Sequence, residues 1–203
     1  MVGERIVREL NGIACFELET SPEARQNIMT SKSFGRPITE LLELKEAISD
    51  YAARACIKMR AEKTKAQGIN VFIQTNFHKD KENFYQNSSN YFFDSPTDDT
   101  TLVITKAKDL LKSLFKPGLS YKKVGICLLD LGSKENLQMS FLSNNNKNDS
   151  KKTTIMQSLD KINQKMGKGT VFFAAQGTDR TWQMRSGLKS PHYTTNWDEL
   201  PAS

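Results

Sequence analysis

The sequence predicts an α+β fold in which two helices cover one face of a four-stranded sheet, in the order β-α-β-β-α-β. A flexible linker and a small helix-strand C-terminal segment are predicted to follow. Two segments carry apolar residues at steps of three and four, which is typical of helices that bury one side. Runs typical of strands stand before and after each of them, and Gly or Pro residues separate the elements.

The first half of this order is a strand followed by a helix. The run QNIMTSKSF (26–34) is compatible with a strand, and Gly35-Arg36-Pro37 ends it. Thr39 is the predicted helix cap, and the helix is expected to reach about Lys65 and to end at Gly68. Its apolar stripe consists of Leu41, Leu44, Ile48, Tyr51, Ala55 and Met59.

The second half contains two strands, a helix and a last strand. INVFIQTN (69–76) predicts a strand, residues 77–90 a polar loop, and YFFDSPTDD (91–99) a short strand that leads into a helix. The stripe of that helix is Val103, Ala107, Leu110, Leu111 and Leu114, and Pro117-Gly118 ends it. YKKVGICLLDL (121–131) predicts the fourth strand.

Composition limits the class of protein. The chain has 203 residues and a net charge of +6, a mild surplus that fits a polyanionic partner but that many proteins without one also carry. Cys15, Cys56 and Cys127 are far apart and show no metal-ligand spacing, so we expect buried thiols in a reducing cytosol. We find no signal peptide and no apolar run near the roughly 18 residues of a membrane span, which predicts a cytoplasmic protein without a membrane partner.

The sequence contains no recognisable catalytic motif. His78 and His192 lie in predicted loops without Cys, Asp or Glu at metal-ligand spacing. The adjacent Asp98 and Asp99 are the best candidates for holding Mg²⁺, but they precede a helix, and capping its N-terminus is the simpler role. We therefore expect a binding module with no metal site.

Two segments are suited to holding phosphates. Ser31–Arg36 brings Lys32, Ser33, Phe34, Gly35 and Arg36 to the end of the first strand, and Lys122 and Lys123 open the last one. Gln74 and Asn76 on the middle strand are expected to share the open face of the sheet with them. Hydroxyls, amides and basic groups on such a face suit a DNA backbone, and the alternative is an ordinary solvated polar face.

The region after the sheet poses a separate question. Residues 143–150 contain no apolar side chain, so they are predicted to stay flexible. Beside them stand Gln138, Met139, Ser140, Phe141 and Leu142, which either end a core element or form an exposed peptide for a partner. Further on, Ile155, Leu159, Ile162 and Met166 predict a short helix, and TVFFAAQ (170–176) a lone strand. A lone helix and strand make a poor core, so this tail is expected to fold on something else.

Six segments of the chain together resemble one family. They are KSFGRPITEL (32–41), YAARA (51–55), VFIQTN (71–76), SPTDDT (95–100), PGLSYKKVGICLLDL (117–131) and SPHYTTNWDELP (190–201). They look like the C-terminal half of UmuC-type proteins, the Y-family translesion polymerases of bacterial DNA polymerase V, and the last segment is the most specific. The resemblance implies four regions: a connector from the thumb domain (1–27), a little finger DNA-binding domain (28–131), a linker with a clamp-binding peptide (132–152) and a partner-binding segment (153–203).

The resemblance also implies partners and a place in SOS mutagenesis. Residues 138–142 resemble the peptide by which such proteins bind the beta sliding clamp, although Met139 replaces the usual Leu and Phe141-Leu142 reverses the usual order. The tail is expected to bind a UmuD-type subunit and a RecA-type filament through Trp182, Pro191, Tyr193, Trp197 and Leu200. The alternative is that its aromatic residues pack on the third helix.

The family's catalytic metal ligands lie in a palm domain to which no residue here corresponds. We therefore expect no cofactor in this chain, since Mg²⁺ belongs to the palm, and no polymerisation by the chain alone. The leading hypothesis is the DNA- and clamp-binding portion of an error-prone lesion-bypass polymerase. The alternative is a protein-interaction module that binds the clamp and the UmuD- and RecA-type partners without significant affinity for DNA.

Overall fold

The computed structural model describes residues 2–16, 24–77, 84–133, 146–184, 187, 190, 191, 193 and 195–200. Its elements, in chain order, are α1 (Val2–Leu10), β1 (Ile28–Ile38), α2 (Leu41–Ala61), β2 (Thr64–Thr75), β3 (Gln86–Thr97), α3 (Thr100–Leu114), β4 (Tyr121–Ser133) and α4 (Asn146–Met166). Two short 3-10 turns, Ala174–Gln176 and Trp197–Glu199, follow.

The four strands form one antiparallel sheet in the order β1-β4-β2-β3. Helices α2 and α3 contact each other and pack on the same face of the sheet. The predicted β-α-β-β-α-β arrangement with two helices on one face is therefore confirmed. The last strand lies between the first two because antiparallel pairing with both buries its apolar side completely.

The core lies between the two helices and the inner face of the sheet. The predicted stripe of α2 is buried there, except that its first residue, Leu41, is only partly covered. Ala47, Ala52 and Cys56 on the same helix are fully buried small residues, which lets α2 approach the sheet closely. The sheet contributes Ile69, Val71, Ile73, Val124, Ile126 and Leu128, and α3 contributes Val103, Ala107, Leu111 and Leu114.

The ends of several elements differ from the predictions. Helix α2 stops at Ala61 rather than near Lys65, because Lys63 turns the chain with a left-handed φ of 55° and Thr64 then joins the sheet opposite Ser133. Its N-cap is Glu40, without a side-chain hydrogen bond, so the predicted cap at Thr39 was wrong. Strand β3 begins at Gln86, inside the predicted loop. Its polar residues did not reveal a strand because an edge strand with one open face needs few apolar side chains.

Of the two adjacent carboxylates before α3, Asp99 has the predicted capping role. The side chain of Asp99 accepts a hydrogen bond of 2.8 Å from the backbone N–H of Thr101, which caps the helix. Within the described part of the chain, no cluster of His, Cys, Asp and Glu is arranged to hold a metal ion.

The C-terminal segment packs on the sheet-helix body. Helix α4 begins at Asn146, inside the stretch predicted to be flexible. The predicted strand at 170–176 was wrong, because residues 174–176 form a 3-10 turn. Instead Gln176 donates a hydrogen bond of 3.1 Å to Asp50 on α2.

Two of the three cysteines meet the prediction of burial. Cys56 and Cys127 are buried free thiols, whereas Cys15 beside α1 is only partly covered. Among the helices in the described ranges, none is long and apolar enough to cross a membrane.

Candidate nucleic-acid interface

The face of the sheet opposite α2 and α3, called the open face below, carries three rows of side chains that cross all four strands. Alternate residues on β2 and β4 are buried under the helices, so the residues between them lie on the open face. Strand register gives an upper row of Ser33, Lys123, Gln74 and Gln86, a middle row of Ser31, Gly125, Phe72 and Ser88, and a lower row of Met29, Cys127, Asn70 and Asn90.

An aromatic ring lies at the centre of this face. A Cβ atom at Gly125 would overlap the ring of Phe72 and the side chain of Ser31, so glycine there lets the ring pack closely against β4. The ammonium of Lys123 stands 5.8 Å from the centroid of the same ring, within cation–π range. The middle of the open face therefore combines an aromatic ring with a nearby positive charge.

Amides and hydroxyls surround this centre. Asn70 donates a side-chain hydrogen bond to Asn90 across β2 and β3, which holds both amides in one orientation. Gln86, Ser88 and Asn90 on the edge strand are exposed. Such groups donate to phosphate oxygens without reading base sequence.

Three of the predicted phosphate-binding residues meet on the open face: Ser33, Gln74 and Lys123 form three of the four members of the upper row. Asn76 lies just beyond the end of β2 and is half-buried. The other predicted DNA-binding residues do not belong to the three rows of the open face.

Lys32 and Phe34 lie on the opposite side of β1. Lys32 pairs with the buried Val124 and, with Arg54, lines a small cavity of about 140 Å³ on the helix side of the sheet. Phe34 is fully buried, with its ring centroid 6.3 Å from that of Trp182. Lys32 and Phe34 therefore do not share the open face with Ser33, Gln74 and Lys123, and their part in DNA binding stays a prediction.

Gly35 and Arg36 contact the tail, and Lys122 bonds to the backbone of β1. The backbone N–H of Gly35 donates to the carbonyl of Trp182 at 3.3 Å, and a Cβ there would stand 2.9 Å from the carbonyl oxygen of Gln183. Arg36 pairs with Glu43 and also donates to the Thr181 hydroxyl at 3.3 Å. Lys122 donates to the carbonyl of Phe34 at 2.8 Å.

The remaining predicted binding residues fall into three groups. Gln138, Met139, Ser140, Phe141 and Leu142 lie outside the described residues. Trp182 is buried, with its ring 5.7 Å from that of Tyr51, so it is part of the core and not an exposed anchor. Pro191, Tyr193, Trp197 and Leu200 are exposed, with Trp197 at 88%.

Comparison with known proteins decides the family. Residues 25–141, more than half of the chain, match the model of the impB/mucB/samB family C-terminal domain. The chain belongs to the impB/mucB/samB family. Residues 153–202 match a second model, a domain of unknown function (DUF4113). The predicted resemblance to UmuC-type proteins is confirmed by the relatives found.

Members of the impB/mucB/samB family from enteric bacteria are similar over nearly all of this chain. Protein UmuC of Salmonella typhimurium is 37% identical over 200 residues, which cover 98% of this chain and 47% of that protein. Protein MucB of Escherichia coli is 36% identical over 201 residues, 99% of this chain and 47% of its own length. The chain thus spans about half the length of these relatives.

A solved structure described as a complex of beta-clamp processivity factor and the little finger domain of PolIV is a more distant match. It is 13% identical, with a TM-score of 0.40, and the match covers 58% of this chain and 99% of that one. At that TM-score the likeness supports no functional argument.

Reasoning from sequence identified three of the twelve residues in the rows of the open face, namely Ser33, Gln74 and Lys123. Asn70 and Phe72 were overlooked, as were Gln86, Ser88 and Asn90 in the region predicted to be a loop. Ser31 was named only as the first residue of the phosphate-binding segment. A signal for the β2 residues was present, because Asn70 and Phe72 alternate with the inward Ile69, Val71 and Ile73. Nothing comparable marked β3.

Proposed function

We propose that this chain is the non-catalytic DNA-binding and sliding-clamp-binding portion of an error-prone translesion DNA polymerase acting in SOS mutagenesis. The open face is the observation that carries the proposal: a flat row of hydroxyls, amides and one ammonium around Phe72, in a chain of the impB/mucB/samB family. The regions proposed are a connector (1–27), a little finger domain (28–131), a linker (132–152) and a partner-binding segment (153–203).

In this proposal the open face holds the phosphates of primer–template DNA. Lys123 neutralises one phosphate, while Ser31, Ser33 and Gln74 donate neutral hydrogen bonds to others. Phe72 provides an apolar surface for sugars. None of these contacts depends on the base, so binding is independent of sequence.

The other contacts of the proposal lie outside the sheet. Residues 138–142 bind the beta sliding clamp, as their resemblance to the clamp-binding peptide suggests. Tyr193, Trp197 and Leu200, which are exposed, are the surface offered to a UmuD-type subunit and a RecA-type filament. Catalysis and its Mg²⁺ ions belong to a palm domain.

One observation favours the alternative of a protein-interaction module. Among the twelve residues of the three rows, Lys123 is the one cation. Since phosphate neutralisation supplies most non-specific affinity for DNA, a face with one positive charge attracts DNA weakly. The two readings therefore differ in a measurable quantity, the affinity for DNA.

The deciding experiment is fluorescence anisotropy of labelled primer–template DNA with the purified chain over a salt series. We expect binding whose log K falls with log salt, and Lys123→Ala should reduce the slope by about 0.9, the value of one released phosphate contact. Lys112→Ala, on the exposed side of α3, is the matched control because it removes the same charge away from the open face. Equal losses in both variants, or no binding at low salt, would reject the open-face interface.

Clamp binding is tested separately with purified beta sliding clamp. We expect the chain to bind it and Gln138→Ala with Phe141→Ala to abolish binding, while DNA affinity stays unchanged. Clamp binding without DNA affinity would support the protein-interaction module instead.

A further inference from the structure

Helix α4 presents three different rows of side chains along its length. Residues three and four apart lie on the same side of a helix. The first row, called the docked row, contains Thr153, Met156 and Asp160. The second, called the apolar row, contains Ile155, Leu159, Ile162 and Met166, and the third, called the lysine row, contains Lys151, Lys161 and Lys165.

The docked row attaches α4 to the sheet-helix body. Asp160 accepts two hydrogen bonds from Arg60 of α2, at 2.6 and 2.8 Å. Met156 is buried, and the hydroxyl of Thr153 lies 3.5 Å from a carboxylate oxygen of Asp98. These contacts fix which side of α4 faces the body, and hence which sides face away from it.

The apolar row faces away from the body. Ile155 is 59% exposed, Met166 70% and Ile162 39%, while Leu159 between them is half-buried. The chain after α4 folds back beside this row, since Asn163 exchanges two hydrogen bonds with the backbone of Val171, at 2.8 and 2.9 Å. Val171 and Phe172 are exposed as well, so they extend the apolar surface. Several exposed apolar residues on one helix and the chain that returns beside it are typical of an interaction site.

The lysine row borders the apolar row on the side away from the body. Its ammonium groups have no carboxylate partner among the described residues, whereas Lys152 near the docked row pairs with Asp99. The surface that α4 offers is therefore an apolar strip with one positively charged edge. From Ile155 to Met166 the strip is about 17 Å long, at 1.5 Å of rise per residue.

We propose that α4 binds an acidic amphipathic helix of a partner protein. An apolar strip three turns long accepts the apolar face of a second helix, whose residues repeat with the same spacing of three and four. Carboxylates flanking that face would meet the lysine row, which sets the orientation of the partner. Duplex DNA would use the lysines and leave the apolar strip in water, so an acidic helix matches both features where DNA matches one. The proposal does not depend on DNA or clamp binding by the rest of the chain.

The test uses a fluorescein-labelled synthetic peptide of about four helical turns. Leu residues stand at steps of three and four, and Glu residues flank them. We expect saturable binding to the full chain by anisotropy, and at least a tenfold loss of affinity in Ile155→Ser/Ile162→Ser. Leu42→Ser, at an exposed apolar residue on α2, is the matched control and should bind as the unaltered chain does. Far-UV circular dichroism confirms that each variant is folded.

Charge is tested with a second pair of variants. Lys161→Glu/Lys165→Glu should abolish binding of the acidic peptide, while Lys112→Glu on α3 should leave it unchanged. A peptide of the same composition in scrambled order should not bind. The proposal is overturned if the two peptides bind equally or not at all. It is also overturned if Ile155→Ser/Ile162→Ser abolishes self-association or binding to anionic vesicles while leaving peptide binding unchanged.

Discussion

Arg60 on α2 and Asp160 on α4, one hundred positions apart in the chain, form a two-point ion pair. The Nε–Oδ2 and Nη2–Oδ1 distances are 2.6 and 2.8 Å. The guanidinium also donates to the carbonyl of Asp98 at 3.1 Å and to the hydroxyl of Thr100 at 2.7 Å. One arginine thus joins α2, α4 and the first residue of α3. Helices α2 and α3 lie in the impB/mucB/samB C-terminal domain match, whereas Asp160 lies in the second matched domain.

Removing the carboxylate should detach α4 from this arginine. We expect Asp160→Asn to lower the free energy of unfolding by about 2 kcal/mol, less than for a fully enclosed pair because Asp160 retains some exposure. Arg60→Lys should be as damaging, because an ammonium cannot reproduce the two-point geometry. Urea unfolding measures both. Arg8→Ala, in the exposed Arg8–Glu4 pair, should change stability by less than about 0.5 kcal/mol, and an equal effect there would contradict the structural role given to Arg60.

Trp182 should anchor the C-terminal tail on the core. Its ring packs edge-on against Tyr51 and Phe34, so Trp182→Ala leaves a cavity and should cost about 3–5 kcal/mol in urea unfolding. Trp197→Ala, at the most exposed aromatic residue of the tail, should cost less than about 0.5 kcal/mol. Similar stabilities of the two variants would mean that Trp182 does not hold the tail.

Stability should fall at alkaline pH. Complete burial of Cys56 raises the pKa of its thiol to about 12 from an ordinary value of 9.0. Between these values the unfolded state binds fewer protons than the folded state, so the free energy of unfolding falls as pH rises above about 9, by at most about 1.4 kcal/mol per pH unit from this thiol. Below about 9 the contribution is fully present.

The measurement is urea unfolding at about pH 8 and pH 10. Burial also raises the pKa of Cys127, Tyr51 and Tyr121, so the unaltered chain carries several contributions of the same sign. Cys56→Ala should make the free energy of unfolding fall less steeply with pH, by the contribution of one thiol. An unchanged slope in Cys56→Ala would show that this thiol does not carry the effect.

Gly125 should control the shape of the open face. An added Cβ overlaps the Phe72 ring and Ser31, so Gly125→Ala should displace the ring, lower stability by about 1–3 kcal/mol and weaken DNA binding. Gly132→Ala is the matched control on the same strand, because a Cβ there meets nothing within 4 Å. DNA anisotropy and urea unfolding report the two effects. Unaltered DNA binding in a folded Gly125→Ala chain would remove Phe72 from the proposed interface.

The elements predicted well are those whose apolar residues repeat regularly. The stripe of α2 and the alternation of Ile69, Val71 and Ile73 on β2 each require burial on one side, so period alone identified them. Strand β3 and the first turns of α4 were missed because their residues are polar, and polar segments acquire structure from the elements they pair with or pack on.

The candidate site was predicted only in part, for a different reason. Ser33, Gln74 and Lys123 were placed together because strand alternation assigns residues to faces. The same alternation put Lys32 and Phe34 on the inner side of β1. Which of the two sides of an edge strand stays open depends on what covers it, here Trp182 and its neighbours.

By itself the sequence determined the sheet-helix core, because packing two helices on one face of the sheet buries all of the regularly spaced apolar residues. It also determined the resemblance to UmuC-type proteins, carried by short motifs along nearly the whole chain. Only the tertiary structure decided that Phe34 and Arg36 contact the tail, that Trp182 is part of the core, and that α4 keeps an apolar row exposed. Those outcomes depend on contacts such as Phe34–Trp182 and Arg60–Asp160, which join residues too distant in the chain for any local pattern to predict.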